Sequence, residues 1–512
     1  MTMDKPSPRA AGMPAAAAAP PADVSRVARS VLALAGTLAV TACALHGEAT
    51  PLTAPTSAKY LETAPGWMTA APADTLSRGP WWTLFGDPTL GVLASQVAVS
   101  NQTVAAAAAA VEESRAAVRE QQAAFFPTLS LDAGATRSGI GGKSGGGLST
   151  TSGGTSIVTS SGSSNRSTRY TLGLGASWEP DLWGSIRNSV TAATATAQAS
   201  EADLAGALLT AQTTFVTDYL SVREADAEIA ILQTTIVGYQ RSLKITQNRY
   251  DAAIAAKSDV LQAQTTLANA ESSSAALIQT RKQMLHAMAV LAGQAPANFT
   301  LPPGDWKSTS VPAIPPTMPS ELLQRRPDIA AAERRVAAAN AQIGVARAAY
   351  FPALTLSGNG DQSASRLSQL FNASSFAWSL GASLAETIFD GGARTARVDE
   401  ARATWKEAVA NYRQTVLTAF QGVEDQLSNA GALEEQQRQL GVASTAADQT
   451  EQIMLNQYQQ GLVAYTDVVT AQSAALTARR ALLQISLNRQ TAAIQMISEM
   501  GGGWSTQQMA AN

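Results

Sequence analysis

Cysteine and histidine are nearly absent from this sequence of 512 residues, which contains one cysteine and two histidines. The single cysteine, Cys43, excludes a disulfide framework within the chain and a cysteine-based metal site. His46 and His286 lie far apart and have no spacing to each other or to Cys43 that is typical of zinc ligands. The sequence therefore predicts neither a disulfide-stabilised fold nor a metal centre.

Charged residues and long apolar runs are also scarce. The formal net charge is −3 and charged residues make up 15% of the chain, so no basic surface for nucleic acid is indicated. No run of about 18 apolar residues occurs after residue 50, so the sequence predicts no transmembrane helix. If the chain crosses a membrane, it must do so as a closed β-barrel, because unpaired backbone groups are not tolerated in lipid.

Sequence motifs for catalysis are missing as well. No glycine-rich phosphate loop and no nucleophile elbow occurs, so we expect a protein that is not an enzyme, needs no cofactor and relies on partners for energy. The run from Arg325 to Asp328 could suggest a catalytic or anion-binding site. We favour a helix break, in which Pro327 restarts a helix and the charges fix the turn.

A large internal duplication organises the chain. The stretch Tyr170–Gly293 matches Trp378–Gly501 at an offset of 208 positions. The matched positions share glycine, tyrosine, aspartate and arginine: Gly184 and Gly392, Tyr250 and Tyr458, Asp259 and Asp467, Arg281 and Arg489. Two copies of a large unit indicate one elongated body made of two halves and not a solenoid.

The N-terminus has the features of a signal peptide, predicted over 1–42. Basic residues precede the apolar run Val31–Val40, and small residues lead to Cys43. The cysteine resembles that of a bacterial lipoprotein box, which predicts a covalent lipid on Cys43, and the following Ala44 favours the outer membrane. An ordinary signal peptide with an incidental cysteine is the alternative. Residues 43–86 are predicted to form a lipidated, extended strap.

Alternation of apolar residues with small or polar ones predicts two β-hairpins, at 128–179 and 353–385. Strands of about ten residues with terminal aromatic residues and a glycine-rich polar face have the size of transmembrane β-strands. A half-buried hairpin of a soluble protein would alternate in the same way. The strand length and the aromatic residues favour the membrane.

Helices are predicted for the remainder of each copy. Residues 90–124 are expected to form one helix, which Pro127 ends. A hairpin of very long helices follows in each copy, at 185–292 and 393–500, because the period is helical and proline is absent. The first helices are expected to end near Asn248 and Asn456. The return helices are expected to begin at capping residues: Ser258, Asp259, Thr466 and Asp467.

The predicted organisation is a first repeat at 87–298, a proline-rich linker at 299–318, a second repeat at 319–503 and a C-terminal tail at 504–512. The fold class is mainly α with a membrane β-barrel portion. Four strands per chain cannot close a barrel, since the smallest such barrels have about eight. Three chains would supply twelve strands. The sequence thus predicts that several chains together form a barrel that continues as an α-helical tunnel, which is a conduit.

Five short motifs give the chain a resemblance to a known family. In order, they are Trp81-Trp82 with Phe85-Gly86-Asp87-Pro88, Asp181-Leu182-Trp183-Gly184, the run Ser320–Glu333, Ile388-Phe389-Asp390-Gly391-Gly392, and Gly501-Gly502-Gly503-Trp504. Together they resemble the outer-membrane channels of tripartite efflux pumps, in the NodT/OprM-like lipoprotein subgroup of the TolC-like family. The resemblance extends over most of the mature chain.

The resemblance implies a homotrimer with a twelve-stranded barrel in the bacterial outer membrane and a helical tunnel in the periplasm. It implies docking to a periplasmic membrane-fusion adaptor and to an inner-membrane, RND-type exporter, with passive conduction of drugs or other small molecules. The same channel in a type I protein-secretion system is one alternative, although the lipoprotein box and the Trp-Trp motif favour efflux. A lipid-anchored helical scaffold without a pore is the other.

In similar channels, the turns that end the two helical hairpins form the periplasmic entrance. The resemblance assigns adaptor contacts to residues of both turns: Ala253, Ile254, Ala255, Ser258, Gly461, Leu462, Val463 and Thr466. It assigns a periplasmic gate to polar residues beside them: Asp259, Tyr458, Asp467 and Thr470. Tyr458 would bond Asp259 across the hairpins, and Asp467 from three chains would surround the constriction and attract cations.

The sequence departs from the family's pattern at these turns. Ala253 stands where a glycine is usual, Val463 replaces a latch arginine of some members, and Thr470 replaces a second inner carboxylate. A simple helix-capping role for Asp259 and Asp467 is the alternative to a gate. These departures predict a latch that is weaker or built differently.

Overall fold

The computed structural model describes residues 80–139, 166–306, 311 and 326–502. The predicted signal peptide 1–42, Cys43, the tail 504–512 and most of the strap 43–86 lie outside the described residues, as does much of the linker 299–318. Within the described residues the chain is mainly helical, which confirms that part of the predicted fold class.

The first described elements are a short 3₁₀ helix, Trp81–Phe85, and α1, Pro88–Ser100. Asp87 caps α1, because its carboxylate accepts hydrogen bonds from the backbone N–H of Thr89 at 2.8 Å and of Leu90 at 3.3 Å. Pro88 occupies the first helical position, where its missing N–H costs nothing.

The prediction of one helix over 90–124 is wrong. The helix breaks at Asn101, which has an extended backbone (φ −69°, ψ 124°), and α2 then spans Gln102–Ala123. The Asn101 side-chain oxygen accepts from the N–H groups of Thr103 and Val104, and its amide nitrogen donates to the carbonyl of Leu291 at 2.8 Å. Asn101 therefore both restarts the helix and fixes it to the end of a distant helix.

Four strands form one antiparallel sheet in the order β1-β2-β3-β4. Their bounds are Thr128–Gly139 for β1, Arg166–Trp178 for β2, Ala353–Ala364 for β3 and Phe376–Ala385 for β4. The two hairpins of the duplication are joined through β2 and β3, where for example Gly173 lies opposite Asp361. Consequently β1 and β4 form the outer edges, and each pairs on one side only within the described residues.

Alternation along the strands separates two faces of the sheet. On β1 and β4 the large apolar side chains Leu129, Leu131, Trp378 and Leu380 are all exposed in the single chain. Polar residues with intervening glycines fill the centre of β3, from Ser357 through Gln362. The sheet therefore carries an apolar surface that the chain itself does not cover.

Two very long helices dominate the chain: α3, Ser185–Asp251, has 67 residues, and α6, Ala393–Gln460, has 68. Each is about 100 Å long at the usual rise of 1.5 Å per residue. They run three and four residues beyond the predicted ends at Asn248 and Asn456. The shorter helices are α4, Lys257–Leu291, α5, Pro327–Ala348, and α7, Tyr465–Glu499.

The matched motifs before α3 and α6 are helix starts of the same construction. Gly184 and Gly392 precede the helices with φ of +82° and +92°, a conformation that favours glycine. The carboxylate of Asp181 accepts from the backbone N–H of Arg187 at 2.9 Å, and that of Asp390 accepts from the N–H of Arg394 at 3.1 Å. In both copies an acidic residue thus satisfies free N–H groups at the N-terminus of a long helix.

The core lies where α3 packs against the shorter helices. Helix α3 contacts α1, α2, α4, α5 and α7, whereas α6 packs against α5 and α7. Fully buried side chains of the largest cluster include Leu90, Phe215, Tyr219, Met288 and Ile494, from four different helices. The run at Pro327 begins α5, and Arg326 forms ion pairs with Asp328 and Glu499. This geometry supports the interpretation of that run as a helix break.

A buried ion-pair network ties the first copy together. The Asp226 side chain, which is 4% exposed, accepts hydrogen bonds from Arg223 at 3.3 Å, from Arg281 and from the Gly304 N–H at 3.1 Å. The guanidinium of Arg223 also donates to the Tyr219 hydroxyl at 3.1 Å. In the equivalent pair of the second copy, Nη2 of Arg489 lies 4.0 Å from Oε1 of Glu434, and the Glu434 side chain is 72% exposed. The duplicated pair is therefore buried in one copy only.

Substitution of Asp226 tests this asymmetry. Asp226→Ala leaves two buried arginines without their carboxylate, and we expect a loss of about 3 kcal/mol or more in the free energy of unfolding. Glu434→Ala, its match in the duplication, removes an exposed partner and should leave stability nearly unchanged. Calorimetric unfolding midpoints of both variants measure the difference. Equal midpoints for the two variants would contradict the account.

Candidate functional site

The candidate site lies at the turns that join each long helix to its return helix. The first turn, between α3 and α4, comprises residues 252–256, and the second, between α6 and α7, comprises residues 461–464. We refer to these turns as the first tip and the second tip. The residues predicted for adaptor contact and for the gate all lie in the tips or in the helical turns next to them.

Both tips have the same backbone hydrogen bonds, 208 positions apart. The N–H of Ile254 donates to the carbonyl of Arg249 and the N–H of Leu462 to that of Gln457, at 2.8 and 2.9 Å. This is the Schellman ending of a helix, which needs one residue with positive φ. Gly461 has φ of +79° and Ala253 has φ of +59°, and Ala253 is the only such non-glycine residue in the described part of the chain.

The residues predicted for adaptor contact are mostly exposed. Ile254 and Leu462 occupy equivalent positions and are 67% and 69% exposed. Ala253, Ser258, Gly461 and Thr466 are also exposed, whereas Ala255 and Val463 are half-buried. Each tip thus presents one large apolar side chain among small and polar residues.

The four predicted gate residues differ in their surroundings. Tyr458 is buried, Asp259 is half-buried, and Asp467 and Thr470 are exposed. The Asp467 carboxylate accepts from the Ala464 N–H at 3.1 Å, and the Thr470 hydroxyl donates to the Thr466 carbonyl at 2.9 Å. The Ser258 hydroxyl donates to Asp259 at 3.4 Å. Of the acidic pair, Asp467 therefore has the capping role, and its exposure leaves its charge available.

Two details of the prediction are wrong in this structure. The Tyr458 hydroxyl donates to the Thr246 hydroxyl of α3 at 3.4 Å and is not bonded to Asp259. The return helices begin after Ala256 and Ala464, so the four residues predicted as N-caps lie within the first turn of their helices. The Schellman turns reverse the chain within residues 252–256 and 461–464, so each return helix begins one residue before the first of its predicted capping residues.

Arg249, for which the sequence predicted no role, joins the end of α3 to the end of α6 beside the tips. Its guanidinium donates to the backbone carbonyls of Tyr458 at 2.7 Å and of Gln459 at 3.1 Å. The same group lies 4.7 Å from the centre of the Tyr458 ring. The duplication could have singled out Arg249, because the matching residue, Gln457, is uncharged and the two copies therefore differ at this position.

Tyrosine rings form the interior of the site. Tyr458 and Tyr465 have ring centres 5.2 Å apart, and they pack with Ala263 and Val468. Burial, and then the neighbouring Tyr458, Tyr239 and Asp259, raise the pKa of Tyr465 to about 12. Tyr465 therefore stays neutral near neutral pH.

The described part of the chain contains no cluster of three or more His, Cys, Asp or Glu side chains that could hold a metal ion. Among the described helices, none has an apolar stretch long enough to cross a membrane.

Comparisons with known proteins agree on one family. The sequence model of the outer membrane efflux protein family matches residues 93–294 and 318–502. Pyoverdine export outer membrane protein OpmQ of Pseudomonas aeruginosa is 30% identical over 479 residues, covering 91% of this chain and 96% of OpmQ. Outer membrane protein OprJ of the same organism is 31% identical over 348 residues, covering 67% of this chain and 72% of OprJ.

The solved structure of the outer-membrane channel OprN has the same fold. It is similar to this chain with a TM-score of 0.77 and 30% identity, covering 90% of this chain and 100% of OprN. The matches define an efflux channel protein of the outer membrane. The chain belongs to the outer membrane efflux protein family, which confirms the resemblance stated from its motifs.

The strained tip residue gives a paired prediction. Ala253→Gly should stabilise the first tip by about 1 kcal/mol, because a side chain is disfavoured at positive φ. Gly461→Ala should destabilise the second tip by about the same amount. Its new methyl group would be 3.6 Å from Arg249, an ordinary contact, so the backbone alone sets the cost. Amide hydrogen exchange at the two tips measures both effects. If both variants changed the stability of their tips in the same direction, backbone strain at Ala253 would be refuted.

Proposed function

We propose that this chain forms the outer-membrane exit duct of a tripartite efflux pump. In this proposal three copies close a twelve-stranded barrel, and their helices form a tunnel into the periplasm. The observation that carries it is a single four-stranded sheet with two outer edges, β1 and β4, continued by helices of 67 and 68 residues.

The outer edges of the sheet support ring closure. Strand edges cannot face lipid, because unpaired N–H and C=O groups have no partner there. Strand β4 of one copy would pair with β1 of the next, and the antiparallel alternation of the four strands continues without interruption across that junction. Four strands are too few for a barrel, whereas three copies give twelve, within the range of known membrane barrels.

The helices support a tunnel outside the membrane. At about 100 Å they are roughly three times as long as the hydrocarbon thickness of a bilayer. Long stretches of α6 expose polar and charged residues, so α6 is suited to water and not to lipid. Exposed alanines on the same helices allow close packing between copies.

The tips would meet the partners. Ile254 and Leu462 present apolar side chains at equivalent positions, which suits contact with a periplasmic adaptor. We further propose that the gate residues Asp259, Tyr458, Asp467 and Thr470 surround the entrance and that Asp467 supplies its negative charge. Cys43 would carry the lipid anchor. Energy would come from an inner-membrane, RND-type exporter.

Small molecules are the proposed cargo. The name of OpmQ states pyoverdine export, and another relative, 29% identical over 432 residues, is a toluene efflux pump outer membrane protein of Pseudomonas putida. Pyoverdine and toluene are both far smaller than proteins, which favours efflux over the type I secretion alternative. In a helical scaffold without a pore, the outer edges of β1 and β4 would stay unpaired.

Planar-bilayer recording of the detergent-extracted protein, with its mass measured in parallel, tests the duct. We expect a trimer that gives small, cation-preferring currents. A monomer without current would overturn the proposal and favour the scaffold.

Asp467 has two roles that substitution can separate. Asp467→Asn keeps an oxygen that can accept from the Ala464 N–H but removes the charge, so it should reduce the preference for cations with little loss of stability. Asp467→Ala removes both, and should in addition lower the stability of the second tip by about 1 kcal/mol. Reversal potentials in salt gradients and unfolding midpoints are the readouts. Unchanged selectivity in both variants would leave capping as the only role of Asp467.

A further inference from the structure

One face of α3 meets the second helical hairpin through polar groups. Tyr239, Ser242, Thr246 and Arg249 recur at intervals of three and four residues, so they lie in one line on the helix. Their partners belong to the second hairpin: Gln472 of α7, and Tyr458 and Gln459 of α6. We call these seven residues the polar seam.

Two of the five hydrogen bonds of the polar seam, those made by the tyrosine hydroxyls, are long. The Tyr239 hydroxyl donates to the Gln472 carbonyl at 3.5 Å, the Gln472 amide donates to the Ser242 hydroxyl at 3.1 Å, and Tyr458 reaches Thr246 at 3.4 Å. The side-chain oxygen of Gln472 is buried without a hydrogen-bond partner. Water could replace these bonds if the two hairpins moved apart, and the hydrophobic surface exposed would be that of the cluster around Tyr458 and Tyr465.

Arg249 makes the strongest contact of the polar seam, at its tip end. Its two bonds to carbonyls of the last turn of α6 involve a charged donor, and they are shorter on average than the neutral bonds above them. Carbonyls in the last turn of a helix carry partial negative charge, so a guanidinium suits them, and the Tyr458 carbonyl accepts from the Gly461 N–H at 3.0 Å as well. The Tyr458 ring beneath the guanidinium adds a cation–π contact.

We infer that Arg249 locks a separable seam between the two hairpins of one chain, and so takes the part of the latch arginine that Val463 replaces. This inference rests on the proposed function, because a lock at the tips controls flow only if the tips enclose an entrance. Separation of the seam would break the two carbonyl bonds of Arg249 first. Movement of the second hairpin away from α3 would then exchange the other polar bonds for water and would expose part of the cluster around Tyr458 and Tyr465.

The duplication shows that the lock is one-sided. Gln457, which matches Arg249, carries no charge. The ring of Tyr250, which matches Tyr458, is instead covered by Lys257 at the start of α4, whose Nζ lies 5.2 Å from the ring centre. Each chain therefore provides one lock, directed from the first tip to the second. In a trimer the remaining contacts between tips, those between chains, would lack this arginine.

Spin labels on the tips test the lock directly. Ala252→Cys, in the first tip, and Gln460→Cys, directly before the second tip, place labels on exposed residues, and co-expression with excess unlabelled chain gives trimers with one labelled copy. Pulsed electron resonance then measures the distance within one chain. In Arg249→Ala we expect the fraction of separated tips to rise about tenfold, the effect of losing a hydrogen bond to a charged group. Single-channel current should rise with it.

Two further variants make the result decisive. Arg241→Ala removes an exposed positive charge from the same helix, two turns away, and should match the parent distances. Arg249→Lys keeps the charge but not the planar fork, and should give an intermediate fraction. Parent-like distances in Arg249→Ala would overturn the lock. If Arg249→Ala fails to assemble, parent-like distances in Arg249→Lys would overturn it.

The two readouts separate the lock from the duct. Separated tips without any current, in the parent or the variant, would refute the duct while the distances still report on Arg249. Separated tips with an unchanged parent-like current would show that Arg249 joins the hairpins without controlling flow, and would overturn its role as a latch.

Discussion

Backbone N–H and C=O groups along the outer edges of β1 and β4 constrain the rest of the structure. The chain pairs these strands on one side only within the described residues, and it leaves the apolar side chains of the sheet uncovered. In lipid, such edges must be paired by another chain. The proposed closed ring follows from that requirement, with three copies supplying twelve strands, and the long helices that continue the strands would then lie side by side as a tunnel.

Duplication provides the two halves, which repeat in backbone and differ in their polar contacts. The helix starts at Gly184 and Gly392 and the Schellman turns at the tips repeat almost without change. The polar contacts do not repeat. The ion pair of Asp226 is buried in one copy only, and Arg249 binds the last turn of α6, whereas its match Gln457 is uncharged. A ring built from such chains would have tight contacts within each chain and different ones between chains.

Much of the fold could be predicted from the sequence, because periodicity and the absence of proline are local properties. The strands, the long helices and the family follow from them and from short motifs. The break at Asn101 could not be predicted, since its amide bonds a carbonyl 190 positions away. The partners of Arg249 and Tyr458 lie 209 and 212 positions away, so alternation and caps carry no information on them. The duplication alone hinted at Arg249.

Electron cryo-microscopy of the full-length chain, extracted from membranes in mild detergent, tests the central claim most directly. It counts the copies and shows what pairs with each edge of the sheet. The account predicts a threefold particle in which β4 of each copy is hydrogen-bonded antiparallel to β1 of the next, with the tips at the far end of a helical tunnel. Single chains, or rings in which β1 and β4 stay unpaired, would contradict it.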